Sequence, residues 1–112
     1  MKFQEINSKS VKITINETID GENQEIARAF IFLITNALHD KPYGLLEDVY
    51  VQESHRGKGL GKQITNEAIK KAKELGCYKF ICTSRFPKEF IHEMYEKLGF
   101  TKHGFEFRMN LD

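Results

Sequence analysis

Six consecutive residues, Arg56-Gly57-Lys58-Gly59-Leu60-Gly61, combine two cations with three glycines. Glycine without a Cβ lets successive backbone N–H groups turn toward one point, and a helix beginning there adds roughly half a positive charge. That pairing suits a phosphate group. From Arg56 to Lys73 six basic residues face the single acid Glu67, a local charge of +5 in a chain whose total is +1. A lysine-rich solvated helix face explains the lysines beyond the loop equally well, so contact with an anion is assigned to Arg56, Gly57, Lys58, Gly59, Leu60 and Gly61. Two familiar phosphate motifs fail here. A P-loop needs a hydroxyl after its lysine, where Gln63 stands, and a dinucleotide fingerprint needs a third glycine where Lys62 stands.

The elements that must carry this loop are legible from periodicity. Val11, Ile13 and Ile15 alternate with polar residues as in a half-buried strand, Asp20-Gly21 supplies a turn, and an apolar run from Glu25 to Ile34 completes a hairpin. A third strand covers Leu45 to Val51. Leu60, Ile64, Ala68, Ala72 and Leu75 then form one stripe of a helix capped by Gly76. Tyr78 to Thr83 is a short β-rich run. Pro87 opens a second helix with Phe90, Ile91, Met94, Tyr95 and Leu98 on one face and Gly99 at its end. Phe105, Phe107, Met109 and Leu111 alternate with Glu106, Arg108 and Asn110, which predicts a final strand. The expected order is β-β-β-α-β-α-β, a mixed α/β sheet with helices packed on it, in a single domain spanning residues 1–112.

Composition narrows the classes. With 17 Lys+Arg against 16 Asp+Glu the chain has no global field for nucleic acid or an anionic membrane. Its longest apolar stretch, residues 29–34, is far shorter than the roughly 20 residues of a membrane span, and the N-terminus lacks a signal-peptide pattern, so a cytoplasmic protein is expected. Cys77 and Cys82 have neither redox nor zinc spacing and read as buried thiols, and His39, His55 and His103 show no metal-ligand spacing. No metal is expected.

Arg56, Gly59 and Gly61 fall in register with Arg/Gln-x-x-Gly-x-Gly/Ala, the pyrophosphate loop of the GNAT superfamily of N-acetyltransferases, and Val51 stands where that family ends its splayed strand. The resemblance covers roughly residues 11–112. Glu47-Asp48-Val49, Gly76-Cys77-Tyr78-Lys79 and Tyr95-Glu96-Lys97-Leu98-Gly99-Phe100 are similar to segments of glucosamine-6-phosphate N-acetyltransferases. The chain departs from that branch at Cys82-Thr83-Ser84 and Leu98. With only ten residues before Val11 it also looks like a minimal GNAT, lacking the usual N-terminal strand and helix pair and open on its acceptor side.

The resemblance implies acetyl-CoA or CoA with its pantetheine along the strand edge at Val49 and Val51 and its pyrophosphate in the 56–61 loop. It implies transfer of acetyl to a primary amine by direct attack in a ternary complex. Tyr95 would protonate the leaving thiolate, although on its apolar stripe it also reads as a core tyrosine. Glu47 would serve as base, sharing by period two a strand face with Val49 and Val51 while Asp48 faces the other way; an edge carboxylate pairing with nearby donors is the alternative, and His92 is a second candidate. An amino sugar phosphate, a polyamine or a protein amine fits as acceptor. A non-catalytic acetyl-CoA sensor and a phosphate-binding module unrelated to CoA are the competing readings. The alternating last strand is suited to pairing or exchange across a homodimer.

Overall fold

A computed structural model describes all 112 residues, which form two compact units, Met1–Cys82 and Thr83–Asp112. The first unit holds a four-stranded sheet in the order β1 (Ser10–Ile19), β2 (Glu22–Ile34), β3 (Tyr43–Val51), β4 (Phe80–Ile81). The first three strands are antiparallel and β4 runs parallel to β3. Helix α1 (Leu60–Glu74) is the crossover between β3 and β4, as a parallel pair requires. The β1–β2 hairpin closes on Asp20-Gly21, both with positive φ (51° and 79°), the two-residue turn whose twist matches its flanking strands.

Alternation puts Ala27, Ala29 and Ile31 of β2 and Leu46 of β3 on the sheet face that receives α1, and all four are buried. The helix answers with Ile64, Ala68 and Ala72 at spacings of four, also buried. Alanines on both partners let helix and sheet approach closely, while Ile31 and Ile64, neither exposed at all, fill the volume between. Thr65 is the one buried polar side chain, and its hydroxyl donates to the Gly61 carbonyl at 2.7 Å, so burial leaves no orphan.

Pairing between β3 and β4 covers only Gly44↔Phe80 and Leu45↔Ile81. The expected Tyr78–Thr83 strand is therefore reduced to two residues, and within the first unit the outer edge of β3 beyond Leu45 has no strand partner. Gly44 is required at this junction, because a Cβ there would lie 2.8 Å from the Phe80 ring and 3.4 Å from the Cys77 sulfur.

The second unit contains α2 (Glu89–Lys97) and no buried residue. Both helices end in the same way: Cys77 N–H donates to Ala72 O and Gly76 N–H to Lys73 O in α1, and Phe100 N–H donates to Tyr95 O and Gly99 N–H to Glu96 O in α2. This is the Schellman arrangement, with glycine at the left-handed position. The final strand expected from the alternation at 105–111 is absent, so the observed order ends at the second helix. Phe105, Phe107, Met109 and Leu111 are 77%, 94%, 81% and 89% exposed. Period two makes a segment amphipathic as a strand, but a strand exists only when a neighbouring edge takes up its N–H and C=O groups. Neither helix is long and apolar enough to cross a membrane.

Candidate functional site

Residues Tyr43 to Glu74 build the site as one continuous path: β3, a 3-10 turn at Glu53–His55, the glycine loop, then α1. Gly57 (φ 81°) and Gly59 (φ 80°) are both left-handed, and a Cβ at either would meet nothing within 4 Å, so the backbone there is open to an approaching group. Gly59 is the N-cap of α1. No side chain caps that terminus and no acidic residue occupies the first turn, which leaves its leading N–H groups and the positive end of the dipole available to an anion. Arg56, Lys58 and Lys62 are exposed around it. Two of the helix lysines are neutralised elsewhere, Lys70 by Glu67 (3.4 Å) and Lys71 by Glu74 (3.5 Å), so the charge effective at the loop is carried by its own cations. A diphosphate fits this donor set.

Arg56 itself turns back. Its Nε donates to the Val51 carbonyl at 2.9 Å and its guanidinium lies 5.5 Å from the Tyr50 ring centre, so the side chain clamps the loop to the end of β3. Val49 and Val51 lie in the part of β3 that β4 leaves unpaired.

The structure corrects the expected face of Glu47. β3 carries a bulge: Phe30 pairs with Glu47 and Arg28 with Tyr50, so Asp48 and Val49 together stand opposite Ala29. The extra residue breaks period two. Glu47 shares the face of Phe30, away from α1, whereas Val51, opposite Ala27, lies on the helix face. Asp48 takes φ 51° and reaches the Arg28 guanidinium in a forked contact, Nε–Oδ2 2.8 Å and Nη2–Oδ1 3.2 Å. The hydrogen bond from Arg28 lowers the Asp48 carboxyl below its ordinary value, and the same bond raises Arg28. Asp48 is thus occupied in holding the bulge, while Glu47 is exposed.

Tyr95 lies in the second unit, half-buried, at the residue whose carbonyl receives the Schellman bond. Its ring meets Phe100 edge-on, centroids 5.5 Å apart, so the motif that ends α2 also orients the phenol. His92 donates through Nε2 to the Arg85 carbonyl at 2.9 Å, a loop-closing role that competes with use as a base. Burial pushes the Cys82 thiol up to about 11 and raises Cys77 as well, consistent with inert thiols. Sequence reading missed the contributions of Arg28, Gln52 and His55. Their partners Asp48, Glu25 and Glu17 are 20, 27 and 38 residues away, and no local spacing announces such contacts.

The model of the acetyltransferase (GNAT) family matches residues 16–100. The chain belongs to the GNAT family. It is 41% identical over 68 residues to a glucosamine 6-phosphate N-acetyltransferase of Trypanosoma brucei brucei, covering 61% of this chain and 44% of that one. It is 38% identical over 80 residues to a probable glucosamine 6-phosphate N-acetyltransferase of Drosophila melanogaster, covering 70% and 35%. Among solved structures, glucosamine-6-phosphate N-acetyltransferase from Arabidopsis thaliana superposes with a TM-score of 0.79 at 27% identity, covering 92% of this chain and 67% of that one. The aligned part spans less than half the length of these two sequence relatives. The glycine loop and the start of α1 both fall within the residues that the family model matches.

Proposed function

We propose that this GNAT domain is an acetyl-CoA-dependent N-acetyltransferase that passes acetyl to a primary amine by direct attack in a ternary complex. The observation that carries the reading is the uncapped N-terminus of α1 behind two open left-handed glycines, with no carboxylate in the first turn to repel a diphosphate. Backbone groups from Arg56 to Gly61 hold the pyrophosphate, and the free edge of β3 at Val49 and Val51 offers N–H and C=O groups to the amide-bearing pantetheine arm as an added strand would.

The amine nitrogen attacks the acetyl carbonyl carbon, forming the C–N bond as the C–S bond breaks. Tyr95 supplies a proton to the departing thiolate, and Glu47 takes one from the amine. Glu47 alternates with buried Leu46 and so faces away from α1 with its carboxylate exposed, as a base that must meet an incoming amine requires.

The favoured acceptor is an amino sugar phosphate, on the strength of the relatives named glucosamine 6-phosphate N-acetyltransferase. The reading extends to a cytoplasmic homodimer: both cysteines are free, as a reducing compartment keeps them, and the amphipathic segment 105–111 offers pairing groups to a second copy. The deciding experiment is calorimetric titration with acetyl-CoA of the wild type and of Gly59→Glu, followed by thiol release with glucosamine 6-phosphate as acceptor. Binding lost in the variant and thiol release dependent on the amine support the proposal; a folded wild type that ignores acetyl-CoA overturns it.

A further inference from the structure

On the side where a Cβ would stand, Gly57 and Gly59 have no neighbour within 4 Å to fix the loop. Contacts at its ends therefore contribute to its geometry. The downstream end is α1, anchored by Ile64 and Thr65. The upstream end is the Glu53–His55 turn, and the β1–β2 hairpin grips that turn on both sides.

On one side, Gln52 N–H donates to the Ile26 carbonyl at 2.8 Å and Gln52 Nε2 to the Glu25 carbonyl at 2.7 Å. Ile26 is the extra residue of a bulge in β2, where Ile15 pairs with Ala27 and Asn16 with Glu25, and its carbonyl accepts from the turn just beyond the last β2–β3 pair, Ala27↔Val51. On the other side, the His55 ring reaches the Glu17 carboxylate of β1, Nε2–Oε2 2.6 Å, across 38 residues of sequence. The His55 side chain is only 14% exposed. A carboxylate can only accept, so Nε2 carries a proton, and Nδ1 lies in hydrogen-bond contact with the Ser54 hydroxyl at 2.9 Å, which can donate or accept. Both ring nitrogens are satisfied, and the bond to Glu17 is charge-assisted.

We infer that Glu17 and His55 are positioning residues for the donor: their bond fixes the direction in which the chain enters the loop, and so aims the N–H groups of residues 56–61 at the diphosphate. This rests on the reading of Arg56–Gly61 as the pyrophosphate loop. A cradle held in its binding geometry before the ligand arrives does not spend affinity on ordering itself.

The test is calorimetric titration of the full chain with acetyl-CoA. Glu17→Ala and His55→Ala are each expected to weaken binding about tenfold, as loss of a hydrogen bond to a charged group does. The double variant should bind no more weakly than the worse single one, because both break the same bond. Glu17→Gln keeps an accepting oxygen and is expected to restore binding to within about threefold of wild type, a rescue that loss of packing alone would not produce. Glu17 is half exposed, so its variants lose little buried area, which guards against a failure to fold. Single variants within about twofold of wild type, or a double variant whose losses multiply, would overturn the inference. Gly59→Glu separates the two failures. If it abolishes binding while the Glu17 and His55 variants do not, only the positioning role falls; if it binds as wild type, the loop reading falls and the inference with it.

Discussion

The two units are stabilised in different ways. Residues 1–82 contain every buried residue of the chain, with Ile31, Ile64 and Thr65 entirely enclosed, whereas residues 83–112 contain none and rely on a nine-residue helix, its Schellman end and ring contacts. The contrast separates the proposed labours as well. Donor binding is assigned to a loop clamped into a packed sheet-and-helix unit, and proton donation to Tyr95 in a unit without a core. A cradle must hold its N–H groups in fixed geometry to be worth its binding energy, so it belongs on rigid elements.

The sharpest way to break this division is to damage each side and read the other. Gly59→Glu places a bulky negative side chain at a φ of 80° beside the start of α1 and should weaken acetyl-CoA binding by at least about 100-fold, as repulsion of a diphosphate and backbone strain combine. Tyr95→Phe should leave acetyl-CoA affinity unchanged and lower kcat by about 10²- to 10⁴-fold, measured as thiol release at saturating donor. If Tyr95→Phe weakens donor binding while sparing turnover, the assignment of chemistry to the second unit is wrong.

Stability should divide along the same line. Ile64→Ala removes an unexposed side chain from the α1 interface and should cost about 2–5 kcal/mol in denaturant unfolding. Phe90→Ala, at a residue 73% exposed, should stay within about 0.5 kcal/mol. A large loss at Phe90 would mean that the second unit has a core after all.

The smallest effect concerns the β3 bulge. Arg28 lowers the Asp48 carboxyl in the folded state, so the pair adds stability above the ordinary aspartate value of about 3.9 and loses it as pH falls through the lower folded value. Both side chains are partly exposed and solvent screens them, so the gain is slight. Asp48→Asn, which tolerates positive φ, should lower stability slightly at neutral pH, where the pair contributes, and so flatten the acid limb of the stability profile.

Much of the proposed site was legible because it is local. Arg56 through Gly61 suggests an anion cradle by glycine spacing and by the helix stripe that follows, and the structure adds the two left-handed glycines and the uncapped terminus as support. Asp20-Gly21, Gly76 and Gly99 each stop or turn the chain where a left-handed residue was expected. Glu47 does not share a face with Val51, as period two predicts, because that period holds only in an unbroken ladder, and nothing in Leu45 to Val51 signals a bulge. The strand expected at 105–111 failed for a related reason: alternation describes which side chains agree with one another, not whether an edge is there to pair with.

By itself, the sequence determined what depends on neighbours along the chain. The period of α1, the turn residues of the β1–β2 hairpin, the glycine loop and its excess of cations all follow from spacing, because backbone conformation and side-chain direction are set within a few residues. Tertiary structure decided what depends on partners far apart. The β3 bulge, the Arg28–Asp48 fork, the Gln52 contacts with Glu25 and Ile26, and the His55–Glu17 bond exist only once β1, β2 and β3 lie side by side. Which edge each strand meets, and in what register, is fixed by the packing of the whole sheet against α1.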